Sequence, residues 1–142
     1  MKLGYQLTHP KSATPKRAHD TDACFDVTIV KHLDAGPNWR LYDTGVKFDI
    51  PKGYHLKAFV RSSIGFKSNL VLANGTGIID AGYIDTVKVK LVHNGAGQPQ
   101  WPYIGDRVIQ IILEKNTKTE LVEANEIKET ERGEGGIGST GK

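Results

Sequence analysis

The feature that most limits what this chain can fold into is how short its apolar runs are and how regularly turn residues break them. Phe25 to Val30, Val46 to Ile50 and Tyr54 to Val60 are rich in β-branched or aromatic residues, the types that fit a pleated, half-buried surface. Pro51-Lys52-Gly53 stands between the last two and reads as a turn joining neighbouring strands. Val87-Lys88-Val89-Lys90-Leu91 alternates strictly, so it reads as a strand with a buried valine and leucine face and an outward lysine face. Val108 to Leu113 is apolar apart from Gln110, the pattern of a strand covered on both sides. The best helical stretch, Ser62 to Ser68, is too short to shape the architecture. Short strands with glycine and proline at turn spacing predict an all-β fold, a sandwich or barrel of the jelly-roll kind.

A chain of 142 residues suits one domain with its own core. The formal net charge of +3 is too small to point to nucleic acid or a membrane surface. With a single cysteine, Cys24, no intrachain disulfide forms, and Cys24 reads as a small buried apolar residue. Met1 to Pro10 has no apolar core of signal-peptide length. No run approaches the roughly 20 apolar residues of a membrane span. These features read as a soluble, cytoplasmic protein. Two compositional units are expected: residues 1–131 as the β domain, and residues 132–142 as a flexible glycine-rich arm with almost nothing apolar to bury. Before the arm, Glu114 to Glu131 is strongly charged and reads as a solvated strand followed by a connection.

Four places carry candidate chemistry. Gly77-Ile78-Ile79-Asp80-Ala81-Gly82-Tyr83 sets a carboxylate right after a strand read as buried, with an aromatic ring three residues on. A carboxylate held there can act as a general base toward water, although an Asp-Ala-Gly turn with a packing tyrosine has the same residues. Arg61-Ser62-Ser63 offers a guanidinium and two hydroxyls to a phosphate, or simply opens a helix. Gln110 is an amide in an apolar run and needs partners, either backbone or ligand. The segment Gly136-Ile137-Gly138-Ser139-Thr140-Gly141 matches GxGxxG. The dinucleotide reading of that pattern needs a strand before it and a helix after it, which this stretch does not suggest. Open backbone N–H groups together with Arg132, Ser139 and Thr140 still suit phosphate oxygens. The histidines, at positions 9, 19, 32, 55 and 93, form no metal-ligand spacing, and no HExxH, GxSxG or Walker loop is present.

Taken in order, Ala23-Cys24-Phe25-Asp26, Arg61-Ser62-Ser63-Ile64-Gly65, Asn74 through Gly77-Ile78-Ile79-Asp80 and Tyr83 to Lys88, Gly105-Asp106-Arg107-Val108-Ile109-Gln110, and Arg132 to Gly141 resemble the five motifs of the trimeric dUTP pyrophosphatase family. The resemblance implies a jelly-roll homotrimer whose C-terminal arm is swapped onto a neighbour and whose active sites lie at subunit interfaces. It implies hydrolysis of dUTP to dUMP and pyrophosphate by water attacking the α-phosphorus, which keeps uracil out of DNA and supplies dUMP for thymidylate synthesis. Asp80 matches the residue that activates the water. Tyr83 matches the ring under the deoxyribose. Asn74, Gly77, Ile78 and Ile79 match the hairpin that reads uracil, with Lys88 closing that motif. Arg61, Ser62, Ser63 and Gln110 match phosphate contacts, and Arg132, Gly136, Ile137, Gly138, Ser139 and Thr140 match the arm that closes over them. The implied cofactor is Mg2+, carried mainly by the triphosphate, with Asp26 in its outer shell. Three departures stand out: Ile137 where the family usually has a phenylalanine, Asp85 where a glycine is common, and Cys24 for another glycine. A dCTP deaminase-type relative and a non-catalytic nucleotide-binding module are the competing readings. Against the first, the third motif carries no catalytic glutamate.

Overall fold

In the computed structural model, which describes residues 1–141, almost all regular structure is β. The strands are β1 Gly4–Leu7, β2 Phe25–Thr28, β3 Lys31–Ala35, β4 Trp39–Asp43, β5 Val46–Asp49, β6 Tyr54–Val60, β7 Leu70–Leu72, β8 Gly77–Asp80, β9 Lys88–His93 and β10 Arg107–Lys115, and α1 spans Ser62–Ser68. Two four-stranded sheets, in the orders β2-β10-β6-β8 and β3-β4-β9-β7, are antiparallel throughout, and β1 and β5 form a separate two-stranded ribbon. Val27, Leu56, Ala58, Ile109 and Ile111 from the first large sheet pack into one core with Tyr42, Leu70, Leu72, Val89 and Leu91 from the second. This is a sandwich of the expected jelly-roll kind, held by alternate side chains of both sheets. No helix of the described residues is long and apolar enough to cross a membrane.

The strand ends follow hydrogen bonding rather than composition. Phe25 begins a strand as expected, but it stops at Thr28: the Ile29 N–H turns to the Asp106 carbonyl and the Val30 N–H to that of Asp43, although both side chains stay buried. Ile50 drops out of β5 for a similar reason, lying before the Pro51 turn that feeds Tyr54. The alternating run begins one residue later than its pattern and goes on to His93, because the Val87 N–H bonds the Val46 carbonyl outside the sheet. Its lysines are exposed and its valine and leucine buried, as the alternation requires. The Val108 run lengthens to Arg107–Lys115 and pairs with both β2 and β6. After Lys115 no strand forms up to Glu131 among the described residues, so the solvated strand expected there amounts to its first two residues.

Three sequence readings need correction. β8, which carries Asp80 as its last residue, is a half-exposed edge strand and not a buried one. Cys24 is half-buried, since it precedes β2 at the sheet margin. Gln110 is half-buried too, because it points to the outer face of its sheet next to Asp26.

Candidate functional site

β8 is hydrogen-bonded along β6, with Gly77 opposite Ala58 and Asp80 opposite His55. Gly77 permits this close approach: a Cβ there would stand 3.2 Å from the Ala58 Cβ. The turn before β8 reverses through Gly75, whose φ of +69° suits glycine. The Gly75 N–H bonds the Leu72 carbonyl, and the Ala73 N–H ties the turn to Lys90 on β9. A cleft of about 500 Å³ opens where β8 and β9 diverge, lined among others by Asn74, Gly77, Ile78, Ile79, Asp80, Tyr83 and Lys88. The third motif is therefore gathered around one cavity. Ile79 faces inward and packs on the core, while Ile78 and the Asp80 side chain point out. Among the described residues the Asp80 carboxylate has no hydrogen bond or ion pair, so its lone pairs are open to water or a ligand.

Tyr83 stands at the cleft's lip on a short turn, where its N–H bonds the Asp80 carbonyl and its phenol hydroxyl donates to the Thr86 carbonyl at 2.9 Å. Lys88, expected among the substrate contacts, lines the cleft but has its ammonium engaged by the Thr86 carbonyl at 3.0 Å, the Asp85 carboxylate at 3.2 Å, the Thr86 hydroxyl, and the Asp43 carboxylate at 3.6 Å.

The phosphate candidates lie elsewhere. Arg61 follows the far end of β6, six residues beyond the His55 that faces Asp80. At 3.3 Å per strand residue this places their backbones roughly 20 Å apart. The Asp26 carboxylate accepts from Arg61 Nε at 3.0 Å and from Arg107 Nη1 at 3.1 Å, and Arg61 Nη1 also reaches the Arg107 carbonyl. Gln110, opposite Asp26 in the register, donates a long 3.4 Å bond to the Val60 carbonyl. Ser62 and Ser63 open α1, which has no side-chain cap. A two-guanidinium cluster with hydroxyls and an amide beside it suits a polyanion, with Asp26 fixing the pose of Arg61. Sequence reading had assigned Arg107 no role. Its signals in the sequence are its place in the fourth motif and its position directly before the apolar run from Val108.

The arm residues Arg132 to Gly141 form successive turns, with Arg132 Nε donating to the Gly135 carbonyl. Ile137 is fully exposed, and none of these residues lines the cleft. Lys142, the last residue of the expected arm, lies outside the described residues. Among the described residues no three His, Cys, Asp or Glu side chains are grouped to hold a metal ion. The Asp26 carboxylate is already neutralised by two guanidiniums. The donor set thus does not fit a cation caged by protein, and leaves only a magnesium that is ligated chiefly by phosphate and water.

Comparison with known proteins decides the family. The dUTPase family model matches residues 10–141. The chain belongs to the dUTPase family. Relatives named deoxyuridine 5'-triphosphate nucleotidohydrolase include one from Helicobacter pylori, 32% identical over 99% of this chain and 97% of its own. One from Wolinella succinogenes is 34% identical over 100% and 95%. The dUTPase of Staphylococcus bacteriophage 80alpha, solved with dUPNHPP, superposes with a TM-score of 0.81 at 26% identity, covering 99% of both chains. The dUTPase of phage phi11 shares the fold, with a TM-score of 0.75 at 23% identity over 92% of this chain and all of its own.

Proposed function

We propose that this dUTPase-family chain is a dUTP diphosphatase, which hydrolyses dUTP to dUMP and pyrophosphate. The observation that carries the reading is an unpartnered carboxylate, Asp80, on the rim of a cleft that also holds Asn74, the Gly77–Ile79 backbone and Tyr83. In this reading the uracil enters between the Asn74 turn and β8. Backbone groups and the Asn74 amide match its donors and acceptors, and a base with the wrong pattern leaves buried polar groups unpaired, which discriminates strongly. Tyr83 lies under the sugar where a 2′-hydroxyl would need room. Asp80 takes a proton from water as the oxygen attacks the α-phosphorus. The bond to the bridging oxygen breaks, and pyrophosphate leaves. A positioned carboxylate base is worth roughly 10²–10⁴-fold.

Arg61, Arg107, Ser62, Ser63 and Gln110 serve the phosphates. They do so across a subunit boundary, because a base roughly 20 Å from the phosphate grip within one chain cannot act on the same nucleotide. That separation supports a homotrimer in which Asp80 of one copy meets Arg61 of another. A glycine-rich arm with Arg132, Ser139 and Thr140 but no core contacts suits closure over such a shared site. Magnesium enters as part of the substrate, on the triphosphate oxygens and water, with Asp26 in reach of that water at most. A cytoplasmic location, with nucleotides and not nucleic acid or membrane as partners, belongs to the same reading.

The test is incubation of the purified chain with each dNTP and magnesium, following pyrophosphate and ammonia. Pyrophosphate from dUTP alone is expected. Ammonia from dCTP, or turnover of none of them, overturns the reading.

A further inference from the structure

Thr86 is one of two buried polar residues among the described residues, 6% exposed, and every polar atom it has is used. Its N–H donates to Asp85 Oδ1 at 2.7 Å, and its hydroxyl donates to Asp43 Oδ2 at 3.0 Å. Its carbonyl accepts from the Tyr83 hydroxyl at 2.9 Å and from the Lys88 ammonium at 3.0 Å, filling both lone pairs. The ammonium is itself gripped by Asp85 and Asp43. The Thr86 N–H, and then the Lys88 ammonium, hold the Asp85 carboxyl below its ordinary range. The segment from Tyr83 to Lys88 is thus closed by two carboxylates from different parts of the chain. The aromatic ring at the lip of the cleft is tied to the same carbonyl as the lysine.

We propose that Lys88, clamped by Asp85 and Asp43, is a positioning residue that fixes the ring of Tyr83 through the Thr86 carbonyl and thereby sets discrimination between deoxyribose and ribose. This rests on the reading that Tyr83 lies under the sugar. Lys88 then acts on the substrate at second hand, through a carbonyl that must stay in place for the phenol to reach it. A tyrosine whose hydroxyl is anchored cannot swing aside to admit a 2′-hydroxyl. Freed of the anchor, it yields room at the cost of one hydrogen bond. Asp85 gains a purpose here that a glycine could not serve: its carboxylate both caps the turn and holds the lysine.

The experiment uses the full chain with magnesium and compares kcat/KM for dUTP and UTP. Lys88→Met should lower the dUTP-over-UTP preference by roughly 3–10-fold, the scale of one net hydrogen bond. For dUTP the loss should fall mainly on KM. Lys88→Arg should restore most of it, and Asp85→Gly should show a smaller loss, because Asp43 still holds the lysine. In a Tyr83→Phe background, which lacks the anchored hydroxyl, Lys88→Met should change the preference less than twofold, a non-additivity that reports contact through a shared partner. The Tyr83 resonance in a 13Cζ-tyrosine spectrum without nucleotide should move in Lys88→Met. An unchanged preference, equal losses for both nucleotides, additive effects with Tyr83→Phe, or an unmoved resonance each overturns the proposal. If the wild-type chain hydrolysed neither nucleotide, the functional reading would fail, and an unmoved resonance would still be a separate failure of the anchor.

Discussion

Asp80 is exposed at the end of an edge strand, and its carboxylate is unpaired among the described residues. Its lone pairs are therefore free to accept a proton from a bound water. Asp80→Asn keeps the shape but removes the basic lone pair. Turnover of dUTP should fall by roughly 10²–10⁴-fold while nucleotide binding, read by calorimetry, survives. Near-normal turnover would mean that another group activates the water. Ile137 tests the arm at the same scale. It is fully exposed in the chain alone, and in the proposed reading it would cover the base with aliphatic carbon where an aromatic face would stack. Ile137→Phe should leave dUTP binding equal or tighter, and weaker binding would place Ile137 away from the base.

At the level of elements, the position of β8 matters most. It has one sheet neighbour, β6, and sits close to it because Gly77 lacks a side chain. Gly77→Ala places a methyl 3.2 Å from the Ala58 Cβ and pushes the strand outward by a few tenths of an ångström. The expected result is a raised KM for dUTP with little loss of thermal stability, measured by steady-state kinetics and melting. An unchanged KM would mean that β8 does not frame the base. The core beneath behaves differently. Leu56 is fully buried between the sheets, so Leu56→Ala should cost about 2–5 kcal/mol in chemical denaturation. The arm contributes almost nothing to that core. A chain ending at Glu131 should melt like the full chain yet hydrolyse dUTP poorly, and full activity would show that the arm closes nothing.

At the scale of the whole molecule, Asp80 and Arg61 lie toward opposite ends of β6, and the proposed reading has them act from different copies. If the base and the phosphate grip of each site come from different copies, two inactive variants should complement. Asp80→Asn mixed with Arg61→Ala and reassembled should regain part of the activity, since some mixed sites carry both native residues. Either variant alone should stay inactive. No recovery after subunit exchange, checked by native mass measurement, would mean that both residues serve one site within a chain. The same mass measurement should give three copies per particle.

Sequence by itself determined the β class and the strands whose patterns are locally complete: Tyr54–Val60 is bounded as read, and the alternation of Val87 to Leu91 gives its two faces correctly. It also named the family, because five short motifs in order constrain one another far more than any one does. The strands β1, β3, β4 and β7 were not legible. Lys31–Ala35 is exposed along its whole length and carries little apolar patterning. It is a strand because β4 offers it hydrogen bonds, and that is a property of the partner. The same holds for the site. Sequence order set Asp26, Arg61 and Asp80 side by side as motifs, but only the register of β6, with β8 at one end and Arg61 at the other, showed that they lie apart. The engagement of Lys88 by Asp43 was equally invisible, since Asp43 comes from β4, far away in sequence. Composition and motif record which groups are available. Which of them meet is decided by long-range pairing, where the hydrogen bonds of one strand are satisfied by another.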